Sequence, residues 1–382
     1  MLPKTRFMTA LRGEMADKVP VSLAVGPTNA EKWIGDSDWR SIVEAHHLIG
    51  SIPTYGHEES VCFKTKWRSG WNETHKEEIV HGERDYVLKT RFIKTPLGDL
   101  RSQERIDYLE YHMGQTLEPL IKTRADYEIY EAYVGEWAEV AQPFKPQEVH
   151  LMQEEIDDSG VWVWWIVHTF YQFYWVMRRV QDYLLDFNDM PEAMERLLKR
   201  SQLINEKILN AFNESTCEVM ITNVSGASTS IIGPDLFRRW ILPELKWLVA
   251  NAAEGKFIGF HTTGKMREIL PIMMEAEPHF VLRFESPRFG GDISLREAKR
   301  EFGDQVCLMG GYDPHFYTLG TKEDIRSEAM RCIDEAAEGG GYIFANSDAI
   351  PEDARVGDVR LSVEIAEEYG KYRGSEVNDE QL

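Results

Sequence analysis

Polar or ionisable residues follow six apolar segments of this chain, at the point where each segment ends. They are His168, Asn223, His261, Glu285, the pair Tyr312 and Asp313, and the pair Ser347 and Asp348. Histidine and carboxylate side chains at such positions can transfer protons or bind a metal ion. Amide and hydroxyl groups beside them can position a substrate. Since stable proteins also place polar residues in loops, the set is a hypothesis for an active-site ring.

The two histidines of this set differ in their surroundings. His168 lies within the aromatic segment 161–177 and suits a hydrogen-bonded core histidine as well as a functional group. His261 ends an apolar run and is followed by a glycine turn, which favours a functional role. The aromatic segment predicts core and a helix face, or alternatively a wall for a flat aromatic substrate.

The acidic members also have structural interpretations. A buried carboxylate is costly unless it is paired, so Glu285 suits either ligation or an ion pair with Arg283 or Arg288. Asp313 suits a role in the site, or a simpler one in capping the turn before Pro314.

The elements that would position these residues alternate regularly in the second half of the chain. Strand-like runs cover residues 161–167, 218–223, 256–260, 279–284, 305–311 and 341–346. Apolar strands separated by helical patterns predict a parallel sheet that is covered on both faces. With residues 19–26 and one strand before residue 150, eight units result, and we expect an α/β fold, the (β/α)8 TIM barrel. An open doubly wound sheet is the alternative, but no GxGxxG follows a strand.

Residues 54–150 interrupt this alternation. Two extended segments flank the Pro-Leu-Gly-Asp turn at residues 96–99, which predicts a β-hairpin insertion that caps the barrel mouth. We expect residues 1–375 to form a single barrel domain and residues 376–382 to form an acidic tail. Helices are predicted over residues 191–215, 234–254, 321–338 and 355–370.

Composition and charge exclude several classes of protein. The chain has 382 residues and a net charge of −21, which argues against nucleic-acid binding and suits a cytoplasmic protein. The most apolar window, 161–177, is too short to span a membrane, and the first fifteen residues contain no apolar signal core. The cysteines predict neither a disulfide framework nor a zinc ribbon, and two of them suit buried core positions. They are Cys62, Cys217, Cys307 and Cys332, with Cys217 and Cys307 in apolar runs.

Segments along most of the chain carry a family resemblance. They are TRFMTALRGEMADKVPV, TPLGDL, LEPLIKTRADYEIY, IIGPDLFRRWILPELKWL, FHTTGKMREILPIMMEAEPHFV, GDISLREAKREFGDQVCLMGGYDPHFYTLGTKEDI and GGGYIFANSDAIPEDA. In this order they resemble the uroporphyrinogen decarboxylase superfamily, and specifically its branch of corrinoid-dependent methyltransferases. The resemblance implies the same eight-stranded barrel.

Two departures from the family pattern narrow what the resemblance implies. The decarboxylases have an N-terminal signature rich in arginine and glycine that binds porphyrin carboxylates, and this chain lacks it. The methyltransferases often hold zinc through a His-x-Cys pair and a later cysteine, but here these positions are His261-Thr262-Thr263 and Ser347. Both thiolates are absent. His261 then remains with Glu285 and Asp348 as oxygen donors, and this set suits either a zinc site with an open position or a metal-free site.

The resemblance therefore implies an anaerobic O-demethylase component that moves a methyl group from a small substrate, most readily a phenyl methyl ether, to the cobalt of a separate corrinoid-binding protein. His261, with Glu285 or Asp348, would activate the leaving oxygen through zinc or as a general acid. Other strand-end residues would position the substrate, namely His168, Asn223, Tyr312, Asp313 and Ser347. A cofactor-free decarboxylase or lyase of a small aromatic acid and a non-catalytic ligand-binding barrel are the alternatives. The number of subunits stays open, and a homodimer is compatible with the sequence.

Overall fold

The apolar runs of the sequence become strands, and the segments between them become helices. The computed structural model describes residues 1–57, 63–82, 85–107, 114–143, 146–172 and 177–372. The strands are β1 (Thr54–His57), β2 (Phe63–Thr65), β3 (Asn72–Val80), β4 (Tyr86–Thr95), β5 (Gly98–Asp107), β6 (Gln115–Glu118), β7 (Ala141–Pro143), β8 (Val161–Val167), β9 (Val219–Asn223), β10 (Phe257–His261), β11 (Phe280–Phe284), β12 (Cys307–Tyr312) and β13 (Tyr342–Asn346). Cys62 and the acidic tail 376–382 lie outside the described residues.

Helices precede the first strand and separate many of the later ones. They are α1 (Pro3–Leu11), α2 (Pro27–Ile34), α3 (Trp39–Ile49), α4 (Asp126–Val140), α5 (Pro146–Ile156), α6 (Thr169–Gln172), α7 (Val180–Asp189), α8 (Pro191–Glu214), α9 (Pro234–Leu236), α10 (Leu242–Ala250), α11 (Leu270–Met274), α12 (Leu295–Phe302), α13 (Phe316–Leu319), α14 (Lys322–Ala336) and α15 (Val356–Tyr369). No helix in the part of the chain that the structure describes is long and apolar enough to cross a membrane.

The chain divides into two compact units. The first comprises residues 1–58, 146–166 and 212–382, and the second comprises residues 59–145 and 167–211. The first contains a parallel sheet and the second an antiparallel one. The expectation of one barrel domain over residues 1–375 stays a prediction.

The parallel sheet of the first unit has the strand order β1-β8-β9-β10-β11-β12-β13. The segment predicted as a strand at residues 19–26 joins its two edges. Val21 forms a parallel bridge to Phe344 of β13, and its carbonyl accepts a 2.8 Å hydrogen bond from the Ile52 N–H group just before β1. The Asn346 side chain adds a 2.8 Å bond from the Ala24 N–H group. The predicted (β/α)8 barrel is confirmed.

Alternate residues of the barrel strands point inward and form one core. Since both faces of such a sheet are buried, these strands are apolar along their whole length. The inward core residues are Val161, Val163, Val219, Ile221, Phe257, Phe280, Leu282, Cys307, Met309, Ile343 and Ala345. Four residues of α1 belong to the same cluster, namely Phe7, Met8, Ala10 and Leu11.

One inward position of β10 has to be a glycine. Gly259 pairs with Phe280 of β11, and a Cβ atom on Gly259 would lie 2.1 Å from the Phe280 ring. We expect Gly259→Ala to lower the free energy of unfolding by about 1–3 kcal/mol, because an overpacked core must shift. Urea unfolding measures it. Gly357→Ala is the matched control, since a Cβ on this residue of α15 meets nothing within 4 Å and should stabilise by up to about 1 kcal/mol. Equal effects of the two substitutions would contradict the prediction.

The predicted helices form, with one irregularity. Thr321 caps α14 as its sequence pattern indicates, because its hydroxyl accepts from the Asp324 N–H group and the Asp324 carboxylate accepts from the Thr321 N–H group. The helix expected over residues 234–254 runs without a gap from Pro234 to Ala250 and contains a π-helical turn at Phe237–Ile241 between α9 and α10. Pro243 lies in the first turn of α10 and has no N–H group to continue the preceding helical bonds.

The second unit contains the predicted hairpin. β4 and β5 pair antiparallel up to Thr95 and Gly98, and two further strands extend the sheet to the order β3-β4-β5-β6. Arg91 of β4 donates to Glu73 at 2.6 Å and to the Tyr133 hydroxyl at 3.3 Å, so buried charge is paired. The expected insertion began at residue 54, but β1 (Thr54–His57) pairs with β8 in the barrel sheet, because its backbone groups complete the parallel ladder.

Candidate active site

Five half-buried side chains follow the core at the C-terminal ends of neighbouring strands in the first unit. They are Trp165 of β8, Asn223 of β9, His261 of β10, Arg283 of β11 and Glu285 directly after β11. We call this set the barrel mouth. The inward residues before them are buried, whereas these five are partly exposed, so the barrel interior opens here. The C-terminal strand ends are where such barrels carry their active sites.

His261 is the central residue of the barrel mouth. It pairs in register with Asn223 on one side and with Leu282 on the other. Both of its ring nitrogens are buried, and neither has a hydrogen-bond partner among the described residues. Leaving such groups unpaired costs about 1–3 kcal/mol, so an imidazole in this state is suited to a ligand that would pair with it. The Trp165 ring lies nearly perpendicular to the imidazole, with the ring centroids 5.7 Å apart.

The electrostatic surroundings keep His261 neutral. Burial, together with the charge of Arg283, lowers the pKa of His261 to about 3. At neutral pH the ring therefore carries one N–H donor and one nitrogen acceptor, and it has no second proton to give to a substrate.

Arg283 lies at a bulge in β11. Its φ angle is +62°, and the register between β11 and β12 shifts between Leu282 and Phe284. A left-handed arginine costs about 1–3 kcal/mol, and such strain is often found at functional sites. The Nη1 atom is buried and has no hydrogen-bond partner in the described part of the chain. Burial lowers the pKa of Arg283, and the negative charge of Asp348 opposes that change.

Glu285 has a carboxyl group whose pKa lies near neutral pH. Burial raises the pKa of Glu285 to about 7; the Gly264 N–H group opposes the rise, and the charge of Asp348 adds to it. Neither of the ion pairs considered from the sequence forms: Arg288 lies over the Phe316 ring at 4.4 Å, and Arg283 makes no salt bridge within the described residues. Glu285 is therefore free to donate or accept a proton.

The two threonines after His261 have structural contacts. The Thr262 hydroxyl donates to the Leu282 carbonyl at 3.3 Å and ties the end of β10 to β11. The Thr263 hydroxyl accepts a 3.2 Å bond from the Gly226 N–H group and ties the same turn to the segment after β9. Thr263, at the position where the resemblance implies a thiolate, thus holds a backbone group.

Asn223 and Ser347 are placed at strand ends as predicted, and both already have partners. The Asn223 side-chain oxygen accepts from the N–H and hydroxyl groups of Ser225, at 2.9 and 2.6 Å. The buried Ser347 hydroxyl donates to the Phe284 carbonyl at 2.9 Å. These contacts support the walls of the barrel mouth, and a role in substrate binding stays a prediction.

Three other predicted residues lie in an aromatic cluster, in a turn and on the surface. Tyr312 is fully buried in an aromatic cluster, with its ring stacked at 5.0 Å on Tyr317 of α13. Because Met309 faces the core and Tyr312 faces the surrounding helices, the predicted contact of Tyr312 with a substrate has no support from its position. Asp313 accepts a 3.0 Å bond from the His315 N–H group, the turn-capping role considered as its alternative. Asp348 is exposed, and its charge reaches Glu285 and Arg283.

His168 belongs to the second unit. It is buried, and its Nδ1 atom accepts a 3.1 Å hydrogen bond from the Phe170 N–H group at the start of α6. This contact agrees with the structural interpretation of a core histidine, and its catalytic or binding role stays a prediction. Part of the aromatic segment around it, residues 173–176, lies outside the described residues.

Arg283 and Trp165 were not predicted as site residues. The sequence signal for Arg283 was a charge inside the apolar run HFVLRF, which the sequence alone suggested only as a partner for Glu285. Trp165 was one of several aromatic residues in its segment, and its inward direction follows only from the register of β8. Both residues contact or influence His261 directly.

The zinc site that the resemblance implies does not fit these residues. No group of three His, Cys, Asp or Glu side chains that could hold a metal ion occurs in the ranges that the structure describes. In addition, the guanidinium of Arg283 lies near enough to His261 to disfavour a second positive charge there. A structural or catalytic zinc ion needs at least three protein ligands, so we derive no step through a metal.

Comparisons with known proteins identify what the chain resembles. The family model for uroporphyrinogen decarboxylase (URO-D) matches residues 173–369, just over half of the chain. A uroporphyrinogen decarboxylase of Neisseria meningitidis serogroup C is 38% identical over 68 residues, 16% of this chain and 19% of that protein. One from Chlorobium luteolum is 24% identical over 190 residues, 47% of this chain and 53% of that protein. The matches thus span between a fifth and about half of these relatives.

A solved structure matches over nearly the whole length. A methyltransferase from Methanosarcina mazei superposes with a TM-score of 0.64 and 17% sequence identity, covering 97% of this chain and 99% of that one. At this identity the likeness shows a shared fold.

Proposed function

This chain belongs to the uroporphyrinogen decarboxylase family, and we propose that it is a methyltransferase that takes a methyl group from a small substrate and passes it to the cobalt of a separate corrinoid protein. We propose a phenyl methyl ether as the substrate, so that the reaction is an O-demethylation. The full-length fold likeness to a methyltransferase and the sequence resemblance to the corrinoid-dependent branch support this choice over decarboxylation of a porphyrin.

The observation that carries the proposal is the unpartnered imidazole of His261 at the end of β10, on the strand that pairs with β11, which Glu285 follows. An aryl ether breaks slowly because a phenolate is a poor leaving group. Glu285, with a pKa of about 7, is protonated in about half of the molecules at pH 7, and this form can give its proton to the ether oxygen as the C–O bond breaks. His261 is neutral and can donate one hydrogen bond to the same oxygen.

The remaining residues of the barrel mouth hold the substrate. A reduced corrinoid on the partner protein supplies the nucleophile that accepts the methyl group. The electron pair of the C–O bond passes to the oxygen, and the proton of Glu285 neutralises it, so that a phenol leaves. The Trp165 ring, which lies perpendicular to the His261 ring, offers an apolar wall for the aromatic ring of the substrate.

Methyl transfer itself tests the proposal. The purified chain is mixed with a reduced corrinoid protein and a methoxyarene, and the absorbance of methylcobalamin is followed together with the release of the phenol. We expect both products in equal amounts. If a methylated thiol or amine reacts while no methoxyarene does, the ether proposal is wrong. Binding of a methoxyarene without turnover by any corrinoid protein would favour the ligand-binding barrel.

A second candidate function is a cofactor-free decarboxylase or lyase of a small aromatic acid. The buried, unpartnered Nη1 atom of Arg283 favours it, because a guanidinium can hold a carboxylate. Glu285 would then protonate the carbon that the carboxyl group leaves. Release of carbon dioxide from an aromatic acid in the absence of any corrinoid distinguishes this reaction from methyl transfer.

A further inference from the structure

We propose that Arg283 is an anion-binding residue and that the substrate of this barrel carries a carboxylate on its aromatic ring. The inference deepens the proposed function, on which it rests for the methoxyarene part of the substrate. It names a substrate class, the methoxybenzoates, in place of methoxyarenes in general.

The geometry of β11 is the first argument. A strand without a bulge would continue from Leu282 to Phe284 with a regular register, but here one extra residue is inserted at Arg283. The backbone adopts a left-handed conformation at this residue, which L-amino acids with long side chains rarely adopt. Bulges near active sites commonly re-aim a side chain, and this one accounts for a guanidinium among core strands.

The state of the guanidinium is the second argument. Its Nη1 atom is buried and has no hydrogen-bond partner in the residues that the structure describes. Asp348 influences its charge but is exposed and forms no salt bridge with it, and Glu285 does not pair with it either. A buried cation without a partner is strongly unfavourable, whereas one paired with a ligand anion is not.

The groups around Arg283 favour a flat anion with an aromatic ring. A guanidinium presents a planar fork that matches a carboxylate with two parallel hydrogen bonds. Neutral His261 lies close enough to sense the charge of Arg283 and adds an N–H donor, while the Trp165 ring supplies the apolar side. A flat acid, with its carboxylate on Arg283 and its ring along Trp165, satisfies the unpartnered groups together.

The negative charge of the whole chain means that an anionic substrate needs a local cation to bind. With a net charge of −21, the protein repels small anions at long range. Selective binding of an anion over a neutral analogue of equal shape therefore needs a local cation, which Arg283 provides.

Equilibrium binding tests the inference without any corrinoid. The probes are 4-methoxybenzoate and its neutral isostere 4-methoxybenzamide, titrated calorimetrically into the full chain. We expect the acid to bind ~10–100-fold more tightly than the amide, the usual range for hydrogen bonds to a charged group. In Arg283→Met this preference should disappear, and in Arg283→Lys it should be partly retained. Arg288→Met is the matched control and should keep the full preference, since Arg288 lies over Phe316 outside the barrel mouth.

The outcomes separate this inference from the proposed function. Equal binding of acid and amide by the unmodified chain overturns the inference, whether or not the variants fold. A preference that survives in Arg283→Met also overturns it. If the acid binds selectively but no methyl group is transferred, the anion site stands and the methyltransferase proposal fails. If neutral methoxyarenes are demethylated as fast as methoxybenzoates, the methyltransferase proposal stands and the anion site fails. Benzenesulfonate and phenyl phosphate, tested as further probes, show whether a planar anion is required.

Discussion

Glu285→Gln is expected to slow methyl transfer by roughly 10²–10⁴-fold, the usual contribution of a general acid. Glutamine has nearly the same shape, so it fits the space beside Gly290, where a Cβ atom added to the glycine would lie 3.3 Å from the Glu285 carboxylate. Substrate binding should change little, and the loss should appear in kcat. Stopped-flow formation of methylcobalamin measures it. Retention of more than about a tenth of the rate would contradict the role of Glu285 as the acid.

The pH dependence of the rate gives an independent readout. Because Glu285 must be protonated to act, kcat/KM should be constant at acidic pH and fall as the pH rises through about 7. The charge of Asp348 raises the pKa of Glu285, so Asp348→Asn stabilises the carboxylate and should move the fall in rate to a lower pH. A movement to higher pH would contradict this arrangement of charges.

The leaving group provides the matched control for Glu285→Gln. A methoxyarene with electron-withdrawing ring substituents releases a phenolate that needs no proton. Such a substrate should restore much of the rate of the variant, because the missing step is protonation of the oxygen. A variant that is slow with every leaving group would instead show that Glu285 acts by holding the structure of the barrel mouth.

The barrel could be predicted because burial of both sheet faces makes its strands apolar along their whole length. Strands buried on both faces are apolar throughout, and the segments Val219–Asn223 and Tyr342–Asn346 form within one residue of where the pattern placed them. His261 was also predictable, since it follows an apolar run directly and precedes a glycine. These features depend on neighbours in the sequence.

The rest of the site could not be predicted because side-chain direction depends on register. Tyr312 and His261 both end their strands, but one faces the surrounding helices and the other faces the barrel interior. The bulge at Arg283 is a response to the neighbouring strands, and the run HFVLRF has no glycine or proline that marks it. The pKa of Glu285 likewise follows from burial in the assembled barrel.

His261→Leu is expected to change activity and stability in opposite directions. The loss of a hydrogen-bond donor to the leaving oxygen should lower kcat by about 10²–10³-fold. The same substitution removes two buried polar atoms that have no partner among the described residues, so the free energy of unfolding should rise by about 1–3 kcal/mol. Methylcobalamin formation and urea unfolding measure the two effects on the same preparation.

The difference in stability between His261→Leu and the unmodified chain should grow at acidic pH. The pKa of His261 is about 3 in the folded chain and lies near its ordinary value of 6.5 in the unfolded chain. Between these values the unfolded chain binds a proton that the folded chain does not, so His261 makes the protein less stable as the pH falls from 6.5 toward 3. His261→Leu lacks this term, and its advantage over the unmodified chain should grow across that range.

His46→Leu is the matched control, because His46 is a buried histidine whose ring has a hydrogen-bond partner. Burial also lowers the pKa of His46 to about 3, while its Nδ1 atom lies 3.1 Å from the hydroxyl of Ser51, just after the end of α3. Replacing it should reduce acid sensitivity in the same way, destabilise the fold at neutral pH and leave kcat unchanged. A histidine kept for the fold would behave like His46. If His261→Leu also destabilised the chain at pH 7, the unpartnered nitrogens would have a structural role. A variant that is more stable but inactive is the result expected when the substrate supplies the missing hydrogen-bond partners of His261.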